Sequence, residues 1–207
     1  MRAIIDIELK ARKADAVAYE TDLLAVGLFS DAKGLDKLGK GLDERLGGAI
    51  TRLLELGDFK GKEGSTSLLY GGGALGARRI LLVGLGEKKK ATLNTIRKAA
   101  SAAGYKAVEL KAERLALVLH SAFGARYDLV AAGRAMAEGA CFGSYRYDEY
   151  VTKSEDGRAE HLAVDVIDGE ATRVKKLGKG VKTGTVIGQA QSYARTIANR
   201  PANVINP

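Results

Sequence analysis

Short apolar runs alternate along this chain with longer stretches whose apolar residues recur every three or four positions. A run of four to eight apolar or alternating residues predicts a β-strand. The clearest case is RILLVGL, which is closed by Gly84 and Gly86. The predicted strands are Ala3–Leu9, Leu23–Phe29, Arg79–Leu85, Arg114–His120 and His161–Ile167.

Four of the longer stretches have helical spacing. The first presents one apolar face from Leu35 to Leu53, although four glycines weaken it. Thr92 is placed to cap a second helix, and an Ala-rich third runs from Tyr127 to Phe142. A last helix, roughly Thr183–Ala198, ends before Pro201 and has an apolar stripe that consists of Val186, Ala190, Tyr193 and Ile197.

Strands that alternate with helices of this length predict an α/β fold. We expect a three-layer sandwich in which helices flank a mixed, mostly parallel sheet, with antiparallel pairing among the early strands. The length of 207 residues suits one domain with a substantial core. Both prolines, Pro201 and Pro207, lie in the last seven residues, so the end of the chain resembles a linker to another module.

Charge is concentrated in two segments of the chain. The formal net charge is +8, and residues 78–114 carry 10 basic and 3 acidic side chains, while residues 170–207 carry 7 and 1. Aromatic residues do not interleave with these basic residues, so a base-stacking surface is not indicated. A solvated surface and a nucleic-acid contact both remain open.

The single cysteine and the first residues bear on location. Cys141 cannot form an internal disulfide, which suits a reducing compartment. Asp6 and Glu8 interrupt the first apolar run, so it fits neither a secretory signal nor a membrane span. We therefore expect a cytoplasmic protein with no membrane partner.

Two glycine-rich stretches are candidates for phosphate binding. Gly71, Gly73 and Gly76 match the spacing G-x-G-x-x-G, but a strand follows them where the dinucleotide motif needs a helix, so we predict a strand-to-strand connection. Gly84–Gly86 follows a predicted strand and precedes the Thr92 helix. For that stretch a strand-ending turn is favoured over a phosphate cradle.

No other set of residues has the spacing of a catalytic or metal site. His120 and His161 have no carboxylate or cysteine at ligand spacing, and Cys141 lies on an Ala-rich helical face that suits a buried thiol. The acidic pairs Asp148–Glu149 and Asp165–Asp168, and Ser144, also lack catalytic partners. We predict no catalytic, cofactor-binding or metal-ligating residue in this chain.

Three stretches together resemble the amino-terminal domain of the leucyl aminopeptidase family, also called cytosol aminopeptidases. They are RILLVGLG (Arg79–Gly86), AEGACFGSYRYDEYVTK (Ala137–Lys153) and GQAQSYARTIANRPANVINP (Gly188–Pro207). The second is similar to the family pattern E-G-x-x-x-x-S-Y-x-[FY]-x-x-Y-K and the third to A-R-x-L-x-N-x-P-x-N. Thr196, Ile197 and Arg200 depart from the residues usual in the third pattern.

The resemblance implies a two-domain enzyme that removes N-terminal residues from peptides. Residues 1–180 would form a macrodomain-like domain, and residues 181–207 the linker helix and the start of a catalytic domain. In the family that carboxy-terminal domain binds two divalent metals, zinc or manganese, and the full-length protein assembles as a hexamer. This chain alone is then an inactive assembly or regulatory domain, whose partner is its own catalytic domain.

A binding module is the alternative. A macrodomain-like core could bind a nucleotide, ADP-ribose or DNA through the glycine stretches and the neighbouring basic residues. A free-standing enzyme that uses Cys141 or His120 is the least favoured possibility.

Overall fold

The computed structural model describes residues 6–150 and 160–205. Residues 3–5 of the first predicted strand and Val151–Lys153 of the second motif lie outside these ranges. The strands are β1 Asp6–Lys13, β2 Leu23–Leu28, β3 Thr66–Tyr70, β4 Arg79–Gly84, β5 Arg114–Leu117 and β6 His161–Asp168. The α-helices are α1 Lys37–Arg45, α2 Ala49–Glu55, α3 Leu93–Glu109, α4 Leu129–Ser144 and α5 Ala171–Asn199, and a 3₁₀ helix spans Leu119–Phe123.

The described strands form one mixed sheet in the order β1-β6-β5-β2-β4-β3. The expectation of antiparallel early strands is wrong, because β1 pairs in parallel with β6, and β2 pairs in parallel with β4 and β5. The antiparallel strand is β3, which pairs with β4 at the edge of the sheet. A short connection such as the one from β3 to β4 permits antiparallel neighbours, whereas parallel strands need long crossovers.

Helices cover both faces of the sheet, so the predicted three-layer sandwich is confirmed. Alternate residues of each strand point to opposite faces, and in β2 Leu23 and Ala25 join one core while Leu24 and Val26 join the other. The first core is closed by α3, α4 and α5, and the second by α1 and α2.

The predicted first helix is two helices in the structure. Gly47 and Gly48 have φ angles of 60° and 81°, a left-handed conformation that ends α1 and starts α2. Asp43 holds the break together, because its carboxylate accepts a hydrogen bond from the backbone N–H of Ile50 at 2.7 Å. Further along the chain, Thr92 caps α3 as predicted and forms a capping box with Thr95.

Helix α5 differs most from its prediction. It begins at Ala171 rather than near Thr183 and contains 29 residues. Its buried face begins with Leu177 and Val181 and otherwise consists of small residues. Each of Gly180, Gly184 and Gly188 lies so close to α4 that a Cβ atom would overlap it. The proposed boundary between residues 180 and 181 falls inside this continuous helix and stays a prediction.

The apolar stripe predicted for the last helix faces away from the core. An apolar stripe ordinarily marks the buried side of a helix, yet Val186, Ala190, Tyr193 and Ile197 are all exposed. The buried positions between them belong to Gly184, Gly188, Ser192 and Thr196. Among the described residues, no helix is both long and apolar enough to cross a membrane.

Candidate functional site

The glycines at 71–76 shape a tight connection between β3 and β4, as predicted. Gly72 and Gly73 have φ angles of 54° and 83°, and the backbone N–H groups of Gly71 and Gly76 donate to the carbonyls of Arg78 and Val17. A strand and not a helix follows these glycines, so the helix N-terminus that a dinucleotide motif requires directly after them is missing. The stretch lacks the geometry of a dinucleotide site.

Gly84–Gly86 is closed by hydrogen bonds within the protein. The N–H of Gly84 donates to the carbonyl of Ser65 at 2.8 Å, that of Leu85 to Leu28 at 2.9 Å and that of Gly86 to Gly61 at 2.9 Å. A Cβ at Gly84 would overlap the carbonyl oxygen of Lys62. These glycines therefore allow the segment at 61–65 to pack on the strand end, and their amides are not free to bind phosphate.

A pocket of about 520 Å³ opens at the carboxyl ends of β1, β5 and β6. This is the edge at which open α/β sheets usually bind ligands. The loops that leave the three strands form most of the wall, and Leu38 of α1 completes it. The lining residues are Lys13, Ala14, Asp15, Ala16, Leu38, Val118, His120, Ser121, Ile167, Asp168 and Gly169.

Asp168 is the charged centre of this pocket wall. Its Oδ2 accepts hydrogen bonds from His120 Nε2 and Arg173 Nε, both at 2.9 Å, and its Oδ1 accepts one from the N–H of Glu170. Burial raises the pKa of the Asp168 carboxyl, but these hydrogen bonds outweigh it and hold that pKa well below its ordinary value. Asp168 is thus a carboxylate at neutral pH.

Two buried polar atoms of residues that line this pocket have no hydrogen-bond partner among the described residues. They are Nδ1 of His120, a residue only 3% exposed, and the buried Oγ of Ser121. The ionised carboxylate can only accept, so Nε2 of His120 carries a hydrogen, and in the neutral ring Nδ1 is an acceptor. The pairing of His120 with Asp168 was missed from the sequence, because 48 residues separate them.

The surroundings of the other candidate residues, Cys141, Ser144 and His161, suit a structural role. Burial raises the pKa of the Cys141 thiol to about 11, so this side chain is protonated at neutral pH. Ser144 is buried, and its hydroxyl donates to the carbonyl of Cys141. His161 lies on the exposed end of β6, with Nδ1 3.5 Å from Asp6.

The acidic pair Asp165–Asp168 does not form a shared site. Asp165 binds Arg12 and Tyr19, whereas Asp168 binds His120 and Arg173, so these carboxylates have separate partners. In residues 6–150 and 160–205, no group of three or more His, Cys, Asp or Glu side chains could hold a metal ion.

The second and third sequence motifs contact each other where α4 and α5 end. The guanidinium of Arg195 lies 3.9 Å from the ring centroid of Tyr145, and the hydroxyl of Tyr145 is 3.3 Å from that of Thr196. Arg200 donates two hydrogen bonds to the carboxylate of Glu149, at 2.8 and 3.0 Å. These contacts fix the direction in which the chain leaves α5.

Large apolar side chains are exposed beside this junction. Val186 and Tyr193 are 67% and 62% exposed, and the neighbouring positions extend the surface past the end of α5. We call this surface the exit face, and it consists of Val186, Ile187, Tyr193, Ile197, Val204 and Ile205. These six are more than half of the eleven exposed large apolar residues of the described chain, so the exposure is concentrated in one region.

These features define a three-layer α/β domain of the macrodomain type, with a pocket at the carboxyl edge and an apolar surface at its exit. The model for the cytosol aminopeptidase family, N-terminal domain, matches residues 25–154. The chain belongs to this family. A probable cytosol aminopeptidase of Alkaliphilus oremlandii is 32% identical over 202 residues, which cover 97% of this chain and 40% of that relative.

Solved structures share the fold. A mutant of tomato leucine aminopeptidase has a TM-score of 0.79 at 24% identity, over 100% of this chain and 41% of that chain. A macrodomain of Trypanosoma brucei in complex with ADP has a TM-score of 0.59 at 16% identity, over 85% of this chain and 69% of that one. The chain therefore spans about 40% of the length of the curated relatives that it matches.

Proposed function

We propose that this chain is the non-catalytic amino-terminal domain of a leucyl aminopeptidase, and that it serves assembly or regulation of the catalytic part. The complete protein would remove N-terminal residues from peptides in the cytoplasm. It would work as a hexamer, with two zinc or manganese ions held by a carboxy-terminal domain. The matched relatives, which are about two and a half times as long, support this division.

The exit face is the observation that carries the proposed assembly role. Six large apolar side chains are exposed within residues 186–205, beside a junction that hydrogen bonds and ring contacts keep in place. A concentrated apolar surface of this kind is typical of a protein interface. It lies where the chain leaves the domain, so the polypeptide that follows in the relatives is the partner nearest to it.

We assign peptide hydrolysis to the polypeptide that follows this domain in the longer relatives. The described residues of this chain offer no cluster that fits a dinuclear metal site. The buried thiol of Cys141 and the hydrogen-bonded ring of His120 do not supply an alternative nucleophile and base. We therefore predict that the 207-residue chain alone does not hydrolyse peptides.

Two measurements test the proposal. First, the purified chain is assayed with leucine p-nitroanilide and added Mn²⁺ or Zn²⁺, and hydrolysis should equal that of the buffer control. Second, the chain is co-expressed with the polypeptide encoded downstream of residue 207, for which we expect about 250 to 300 residues. Co-purification with restored activity supports the proposal; turnover by the chain alone, or a gene without such a segment, contradicts it.

One observation argues against the alternative function, a module that binds a nucleotide or DNA. The amides of Gly84–Gly86 bind carbonyls of the protein, so that stretch lacks a phosphate cradle. The basic side chains Lys88, Lys89 and Lys90 are exposed, as are Lys175 and Lys176 on α5. DNA binding through these residues would weaken steeply with salt, and equal binding at 50 and 200 mM salt argues against it.

A further inference from the structure

The strand β3 forms an edge of the sheet that has no neighbour on its outer side. It stands at the end of the strand order and pairs with β4, and no other described strand pairs with it. Both ends of β3 are accessible, since Thr66 is exposed and Tyr70 is 70% exposed. An edge of this kind offers backbone N–H and C=O groups to a further strand. The outer side of β3 is therefore a candidate interface.

The hydrogen bonds to β4 decide which backbone groups of β3 point outward. Just before β3, the N–H of Gly84 donates to the carbonyl of Ser65 at 2.8 Å, and just after β3 the N–H of Gly71 donates to the carbonyl of Arg78 at 3.0 Å. Bonded and non-bonded pairs alternate along an antiparallel ladder, so the odd-numbered residues of β3 bond to β4. The residues whose N–H and C=O groups point away from the sheet are Thr66, Leu68 and Tyr70.

The opposite edge of the sheet, β1, differs from β3 in charge. Its sequence DIELKARK alternates charged and apolar side chains along most of its length. The charged ones are Asp6, Glu8, Lys10, Arg12 and Lys13. Charged side chains on an edge strand discourage the addition of another strand. The sequence of β3, TSLLY, has neither a charge nor a proline, so β3 is the edge at which a further strand can pair.

The outward groups of β3 are complementary to those of a second copy of the same strand. When two copies run antiparallel with Leu68 opposite Leu68, Thr66 of each copy lies opposite Tyr70 of the other. The three outward residues then form three hydrogen-bonded pairs, with about six backbone bonds. Their side chains share one face of the strand, where the aromatic Tyr70 and the β-branched Thr66 make a favourable cross-strand pair. The partner that fits this edge is a second copy of the chain.

We propose that two copies of this chain associate through β3, in a twofold antiparallel pairing centred on Leu68 that joins their sheets. A contact that uses the same surface on both copies closes on itself, so it gives a dimer and not a filament. The dimer goes beyond the proposed docking of the downstream polypeptide, because β3 and the exit face are separate segments of the chain. In the proposed hexamer it would link subunits in pairs.

Analytical ultracentrifugation of the 207-residue chain tests the proposal. We expect a monomer–dimer equilibrium with a Kd of about 100 µM, because a five-residue strand buries less area than a standard interface. Thr66→Lys combined with Tyr70→Lys charges the edge and should weaken dimerisation about tenfold or more. Leu56→Lys, which replaces a 76% exposed apolar side chain at the end of α2, is the matched control and should dimerise as the unaltered chain does. A chain that stays monomeric up to about 500 µM, or a double lysine variant that dimerises equally well, overturns the proposal.

Cysteine variants test the register of the pairing. Thr66→Cys combined with Tyr70→Cys places thiols of the two copies opposite each other, at a Cα separation of about 5.5 Å that a disulfide can bridge. With oxidised glutathione this variant should form a covalent dimer on a non-reducing gel. Thr66→Cys alone is the control, since its two copies would lie about 13 Å apart along the paired strands, and the natural Cys141 is buried. Equal cross-linking of this control, or none of the double variant, contradicts pairing around Leu68.

Discussion

Over residues 184–199, the two faces of α5 reverse the usual distribution of side chains on a helix, whereas Leu177 and Val181 are buried nearer its start. The buried face packs on α4 through Gly180, Gly184 and Gly188, whereas the opposite face exposes large apolar residues such as Val186 and Tyr193. Over residues 184–199, close approach of the two helices, and not the burial of large side chains, accounts for which face is inside. The exposed apolar face then remains for a partner.

The largest effect is expected where the two helix backbones come closest. A Cβ at Gly180 would overlap the carbonyl oxygen of Val130, so Gly180→Ala should destabilise the chain by about 3 kcal/mol. The matched control is Gly178→Ala, two residues earlier, whose Cβ would lie 3.6 Å from Ala11 in ordinary contact. That change should instead stabilise the helix by about 0.5 to 1 kcal/mol.

Urea unfolding measures both variants. The midpoint should fall for Gly180→Ala and rise slightly for Gly178→Ala. Equal shifts for the two variants would show that helix propensity, and not the close contact with α4, governs this face.

The arrangement of α5 also shows what the sequence could and could not predict. Most of the strands are predictable, because a short apolar run such as Leu23–Leu28 between turn residues favours a buried strand, but β3 at Thr66–Tyr70 was not predicted. The buried face of α5 is not predictable. A glycine such as Gly180 is needed there because the helix lies against the carbonyl of Val130, and a contact with a residue so distant in sequence leaves no local pattern. An apolar stripe was therefore the better local signal for a core, and here it marks the outside.

The candidate site was partly hidden for the same reason. His120 follows β5 and Asp168 ends the adjacent parallel strand β6, so the order of strands in the sheet was needed to bring them together. That order is a property of the whole chain. Once it is known, side chains after neighbouring parallel strands are expected to meet at one edge.

The next largest effect concerns Glu138 of α4, which is paired with Arg97 of α3 and Arg134 of α4. Glu138 accepts hydrogen bonds from Arg134 and Arg97, at 2.6 and 2.7 Å. Burial raises the pKa of Glu138, but the two arginines lower it more, and the net pKa lies below its ordinary value. Glu138→Gln should cost about 1 to 2 kcal/mol at pH 7, since both arginines are partly exposed.

The lowered pKa of Glu138 also predicts how the unfolding free energy depends on pH. A depressed pKa in the folded state stabilises the protein above the unfolded-state pKa, which is about 4.3 for glutamate. That contribution is lost as the pH falls through the lower folded-state pKa of Glu138. The gap in unfolding free energy between the unaltered chain and Glu138→Gln should therefore shrink below about pH 4. Glu55→Gln, at an exposed position of α2, is the control and should show no gap at any pH.

A smaller effect is expected at the junction between the ends of α4 and α5. The guanidinium of Arg195 lies 3.9 Å from the ring centroid of Tyr145 and 4.6 Å from that of Phe142. Arg195→Lys keeps the charge but loses the planar stacking, which should cost about 0.5 to 1 kcal/mol. Arg45→Lys, at an exposed position at the end of α1, should be neutral in the same thermal unfolding experiment.

The smallest effect on folding is expected on the exit face. Val186→Ser and Tyr193→Ser remove exposed side chains, so each should change the unfolding free energy of the chain by less than about 0.5 kcal/mol. If this face docks the downstream polypeptide, the same changes should weaken that association about thirtyfold, since a central aromatic contact is worth about 2 kcal/mol. Lys179→Ser, on the basic half of α5, is the control for both measurements. A full loss of stability without loss of association would place these residues in the core and overturn the contrast between the two faces.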